Sequence, residues 1–190
     1  RTTVGAARPQ AVGEQLRAHN QLPEQEQARI RSAFTQAVNH LPAGAVPPWN
    51  LVFRASRIGP NALALPGGTL VMTDELVALV DGNTDVLTAV LAHELGHLQH
   101  RHGLRMLVQV TLLGTLTSVL LGDFSTVLAG GAALVGQAHY SRNAEREADA
   151  AAVRVLRAAQ ISPAAMVTLF DKMAEKRSTS AAQNAKPPGG

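Results

Sequence analysis

Apolar and polar positions along this chain change period several times, and each change predicts an element. Ile30, Phe34, Ala37, Val38 and Leu41 recur at the spacing of one helix face. They follow Leu22-Pro23-Glu24, where Pro at a first helical position with carboxylates behind it opens a helix. Trp49 to Ala55 has strand composition instead. Asn61-Ala62-Leu63-Ala64-Leu65 and Thr69-Leu70-Val71-Met72-Thr73 are two short apolar runs around Pro66-Gly67-Gly68, which predicts a hairpin. A small antiparallel sheet of three or so strands is therefore expected, followed by a short helix over residues 74–80. From Thr84 the helical period returns. Asp81-Gly82-Asn83-Thr84-Asp85 supplies a turn, a polar cap and a first-turn carboxylate. Val86, Leu87, Ala89, Val90, Leu91, Leu95 and Leu98 make this helix apolar nearly all round, a core helix. His100, Arg101 and His102 ahead of Gly103 read as its stop.

Beyond it, residues 106–141 carry a single formal charge, Asp123. Two apolar runs, 104–121 and 124–138, flank Gly122-Asp123. Gln109, Thr111, Thr115, Thr117 and Ser118 would be costly to present to lipid all round, and each run is short for a span. The pattern predicts a helical hairpin folded back beside the domain, with an apolar patch facing a membrane surface or a partner. Ser141 to Asp149 opens another helix, and Ser162-Pro163 caps a last one through Met166, Leu169, Phe170 and Met173. Residues 1–20 read as a loosely ordered lead-in, 21–176 as a single domain, and 177–190 as a disordered tail. The expected class is α+β, mainly helical, with the small sheet preceding the long core helix.

Inside that core helix stands His93-Glu94-Leu95-Gly96-His97. Residues four apart share a helix face, so both imidazoles can reach one metal ion. Glu94 lies about a quarter-turn away, beside the open coordination position, where a general base takes a proton from metal-bound water. Buried His and Glu without a purpose would be expensive, which favours a site. A catalytic zinc needs a third protein ligand. His100 is two turns from His93 and His102 sits at the fraying end, so both read as surface histidines. Glu145 is the better candidate. Asp149, one turn on, can orient a ligand histidine from its far nitrogen. Ala148 leaves room for another helix to approach, and Glu147, about 200° round from Glu145, faces elsewhere.

Composition narrows the partners. In 190 residues the net charge is only +3, with scattered positive residues and 3% aromatics. That gives no basic stripe or stacking platform, so nucleic acid is not an expected partner. Without cysteine there is no disulfide framework and no thiolate ligand or nucleophile. Opening at Arg1 with no apolar signal region, the chain reads as a processed or trimmed piece whose targeting segment has been removed.

His-Glu-Leu-Gly-His, followed after an apolar segment by Ser141-Arg142-Asn143-Ala144-Glu145-Arg146-Glu147-Ala148-Asp149, resembles the gluzincins of the CAAX-prenyl-protease type, peptidase family M48, with its HtpX-like and BepA-like members. Residues 61–68 also resemble that family's strand and hairpin before the catalytic helix. The resemblance implies one Zn2+ per chain on His93, His97 and Glu145, Glu94 as general base and acid, and Asp149 behind a ligand. It implies an endopeptidase of unfolded or flexible proteins in the bacterial cell envelope, periplasmic or membrane-associated. The substrate is expected to bind extended, along an edge strand at Asn61, Ala62, Leu63 and Ala64. Arg142, Tyr140 and His139 are the candidates for stabilising the oxyanion, and the sequence leaves the choice open. Two departures leave substrate and partners open: no array of flanking spans, and no helical repeat domain after the core. The rival readings are a non-proteolytic assembly factor or chaperone, whose structural zinc would need a fourth protein ligand, and a fragment of a membrane-integrated peptidase.

Overall fold

The computed structural model describes residues 21–57, 59–109, 112 and 140–184. The lead-in, His139, most of the predicted hairpin and residues 185–190 lie outside the described residues. Helix α1 (Glu24–Asn39) starts on Pro23 with Glu24 and Glu26 in its first turn, where carboxylates meet the positive end of the helix dipole. It buries the predicted stripe of Ile30, Phe34, Ala37 and Val38.

Three strands follow: β1 (Asn50–Arg54), β2 (Ala62–Leu65) and β3 (Thr69–Thr73), in the spatial order β1-β3-β2. The β2–β3 pair is the expected hairpin, antiparallel, with Leu65 opposite Thr69 and with Gly67 and Gly68 at φ 101° and 99° in the turn. The sheet departs from the antiparallel expectation at β1. Asn50 lies opposite Thr69 and Arg54 opposite Thr73, so β1 runs parallel to β3 and the sheet is mixed. The reason lies in burial: Leu70, Val71, Met72 and Thr73 are all buried, on both faces, so β3 takes the centre and β1 and β2 become the flanks. That leaves β2 as a sheet edge.

Helix α2 (Asp74–Leu79) follows directly, its first turn capped by the Thr73 hydroxyl, which accepts from the Leu76 N–H. The chain then turns through Asp81 and Gly82, both with positive φ, into α3 (Thr84–Gln99). Asn83 caps it, accepting from the Asp85 and Val86 N–H groups. Leu87, Leu91, Ala92 and Leu95 are wholly buried in the common core with Phe34, Phe53, Leu70 and Met72. The stop of α3 differs from the sequence reading. It ends at Gln99, Arg101 takes a left-handed conformation (φ 55°), and the chain re-enters a helix over 102–109. Gly103 therefore starts the next helix instead of ending this one, and the reversal at Arg101 turns His102 inward.

Helix α4 (Arg142–Ala158) is capped by Ser141, whose hydroxyl accepts from the Ala144 N–H, and it packs along α3. Helix α5 (Ala164–Asn184) crosses the start of α3. It runs to Asn184, past the point where the sequence reading placed a disordered tail. Residues 174–184 include Ala174, Glu175, Lys176, Arg177, Ala181, Ala182 and Gln183, which carry helix propensity without an apolar stripe, and no Pro lies between Pro163 and Pro187. No helix among the described residues is long and apolar enough to cross a membrane.

Candidate metal centre

The distance between α3 and α4 decides whether a site forms. At Gly96 the two helices approach so closely that a Cβ there would stand 2.8 Å from the Ala148 Cα and 3.0 Å from the Ala151 Cβ. Only glycine fits against a facing alanine at that spacing. The approach carries Glu145, in the first turn of α4, over the imidazoles of His93 and His97.

The three side chains converge on one point. The two Nε2 atoms are 3.1 Å apart, and the Glu145 carboxylate lies 3.4 Å from His93 Nε2 and 3.5 Å from His97 Nε2. A tetrahedral ion with bonds of roughly 2.0–2.1 Å has ligand–ligand edges of roughly 3.3–3.4 Å. The observed separations fit that figure. The far nitrogens are engaged as well: His93 Nδ1 lies 2.9 Å from Asp149 Oδ1, and His97 Nδ1 lies 2.9 Å from His102 Nδ1. With Asp149 accepting a hydrogen bond from Nδ1–H, the His93 ring turns Nε2 toward the common point. Burial, then the neighbouring His93, His102 and His100, push the pKa of His97 down to about 3. It is therefore neutral, as a ligand must be.

Glu94 sits beside the trio in the cleft that His93, Glu145 and Asp149 also line. Burial pushes its pKa up to about 8. A backbone hydrogen bond from Ala64 works against the shift, and the Glu145 charge adds to it. A cation among the three ligands would act in the opposite direction, toward the carboxylate.

Tyr140 stacks on the His97 ring, with centroids 4.1 Å apart and planes at 20°. Burial first, then the charges of Glu94 and Glu145, raise its phenol pKa, so its O–H remains a donor beside the site. Arg142, the first residue of α4, is exposed.

The edge strand lies across the same cleft. The Asn61 carbonyl accepts from the Thr73 N–H, so odd-numbered residues of β2 turn their backbone groups toward β3. Ala62 and Ala64 consequently face the open edge, and the Ala64 N–H reaches Glu94 from there. Pro60, Asn61 and Ala62 form one rim of the cleft; Met166, Leu169, Phe170 and Met173 of α5 form the other.

One residue departs from its sequence assignment. His102, read as a surface histidine, is 5% exposed and lies between His97 and Glu147, its Nε2 2.8 Å from Glu147 Oε2. Glu147 does face away from Glu145, as the helix phase requires, but toward His102, whose hydrogen bond is the largest cause holding its carboxyl below the usual range. His100 Nδ1 is 3.8 Å from the same carboxylate. The sequence signal for this cluster is the five-residue step from His97 to His102. It becomes meaningful only once the reversal at Arg101 is known.

Residues 24–185 match the family described as peptidase family M48. The chain belongs to that family and carries the domain of a metallopeptidase. Over 142 residues it is 31% identical to the beta-barrel assembly-enhancing protease of Escherichia coli K12, covering 67% of this chain and 28% of that protein. The Yersinia pestis protein of the same name is 32% identical over 131 residues, 61% of this chain and 26% of the relative. The mitochondrial metalloendopeptidase OMA1 of Schizosaccharomyces pombe is 32% identical over 120 residues, 60% and 34% respectively. The chain thus spans between about a quarter and a third of the length of these relatives.

Proposed function

We propose that this domain is a zinc endopeptidase that cleaves extended segments of unfolded or flexible proteins of the cell envelope. The observation that carries the reading is the trio of ligand atoms at tetrahedral spacing with Glu94 beside it. Among the described residues no fourth His, Asp or Glu joins that trio, which suits an open catalytic site better than the closed one a structural zinc requires. One zinc ion on His93, His97 and Glu145 would supply Lewis acidity and a water acidified to about neutral pH.

The protein's own groups do the rest. Glu94 takes the proton of the attacking water and delivers it to the leaving nitrogen. Asp149 holds the His93 ring in the orientation that presents Nε2. Of the two sequence candidates among the described residues, Tyr140, whose ring stacks on His97, is the donor for the oxyanion in preference to the exposed Arg142. A substrate strand adds to β2 through the outward backbone groups of Ala62 and the outward carbonyl of Ala64, whose N–H is taken by Glu94, while its side chains meet the apolar rim of α5. Such pairing selects chain that is not already folded. The envelope setting draws on the names of the bacterial relatives. A membrane-surface contact draws on Leu104, Val108 and Leu112, exposed at four-residue spacing beyond α3.

The test measures zinc content and casein cleavage on one purified sample, before and after a chelator and with Glu94→Gln. One zinc per chain, cleavage lost in chelator and restored by zinc, and a variant that keeps zinc but loses at least ~100-fold in rate are expected. Cleavage retained by Glu94→Gln would overturn the mechanism, and zinc without any cleavage would favour the assembly-factor reading.

A further inference from the structure

We infer that His102 and Glu147 form a hydrogen-bonded strut that fixes His97 as a metal ligand, its protons running one way from His97 to Glu147. The inference rests on the reading of His93, His97 and Glu145 as a metal centre. Two Nδ1 atoms 2.9 Å apart can bond only if one carries the proton and the other does not. His97 presents Nε2 to the common point, 3.1 Å from His93 Nε2 and 3.5 Å from Glu145, so its proton sits on Nδ1. The Nδ1 of His102 must then be the acceptor, which leaves the His102 proton on Nε2. That nitrogen is 2.8 Å from Glu147 Oε2, and a carboxylate only accepts. Each donor along the chain meets an acceptor. The reverse order would put a proton on His97 Nε2, the atom that would hold the metal.

The two ligand histidines are thus anchored differently on the same helix. His93, 20% exposed at its side chain, reaches its carboxylate Asp149 directly. His97, 2% exposed, meets His102 and not a carboxylate at its Nδ1, and His102 spans the gap to Glu147. The same proton order argues against a second metal on His100, His102 and Glu147, although those groups lie close enough to hold one. Binding there through His102 Nε2 would move its proton to Nδ1 and reverse the bond with His97. His102 is a positioning residue, acting on the metal through His97.

The test uses zinc-loaded full chain. Long-range 15N imidazole spectra of the wild type should show His102 as the Nε2–H tautomer and His97 as the Nδ1–H tautomer. Zinc affinity by chelator competition should fall on the order of 10–100-fold in His102→Phe, which keeps a ring of similar size but offers no acceptor. His102→Asn should recover most of the loss, since its Oδ1 can take the place of Nδ1. Glu147→Gln still accepts from His102 and should lose only a few-fold. An Nδ1–H tautomer at His102, unchanged affinity in His102→Phe, or two zinc ions per chain would overturn the strut. Should His102→Phe fail to fold, the wild-type spectrum and His102→Asn still decide. A wild-type chain that binds no zinc would overturn the metal centre itself, a result distinct from each of these.

Discussion

The two sides of helix α3 are built on opposite principles. Toward α4 the close approach is at Gly96, against Ala148 and Ala151, all buried. Toward α5 the cleft is walled by Met166, Leu169, Phe170 and Met173, large side chains of which Phe170 is 63% exposed. Small residues fix the backbone separation, and with it the positions of ligand atoms that must agree within tenths of an ångström. Long, flexible side chains leave a surface that can adapt to different partners. The molecule is rigid where chemistry needs coordinates and yielding where recognition needs tolerance.

The contrast can be broken from either side. Glu145→Ala should have the largest effect, lowering zinc affinity by roughly 100-fold or more, beyond the range for groups behind a ligand. Metal analysis of the purified variant checks it. Gly96→Ala comes next. The added methyl meets backbone that cannot step aside, so we expect a loss of about 1–3 kcal/mol in unfolding free energy together with weaker zinc binding. Thermal melts with and without zinc separate the two effects. Asp149→Asn keeps an acceptor for His93 but not the charge, and should cost roughly 10–100-fold in metal affinity or activity, nearer the lower figure. Phe170→Ala lies on the yielding side. It should raise KM several-fold on peptides with large apolar residues, leave kcat near wild type, and change stability by less than ~0.5 kcal/mol. A variant at Phe170 that lost zinc would dissolve the distinction between the two sides.

Much of the rigid side was legible in the sequence. The cap at Asn83, the cap at Ser141, the i, i+4 spacing of His93 and His97, and the alanine at 148 are local signals, each with its own physical cause. The hairpin around Gly67 and Gly68 was equally local. Harder features depended on neighbours distant in the chain. The central place of β3, with β1 parallel on one side of it, depends on burial on both faces by elements distant in the chain, which no five-residue window contains. The inward turn of His102 depends on a left-handed Arg101, and an arginine carries no preference for that conformation. The continuation of α5 to Asn184 rests on propensity alone, without the apolar period that marks a packed helix.

The bond between His93 and Asp149 joins residues 56 apart in the chain, and it bears on when activity can arise. Contacts of such sequence separation are entropically slow to form and belong to the late stages of folding. The helix bearing both imidazoles can form early, from local contacts, while the carboxylates of α4 are still unplaced. On the proposed reading, a half-folded chain would hold at most two of the three candidate ligands and would bind zinc weakly. An ion that binds only the completed trio would favour the docking of α4 by mass action. On the proposed function, proteolytic competence would thus be coupled to the docking of α4 on α3.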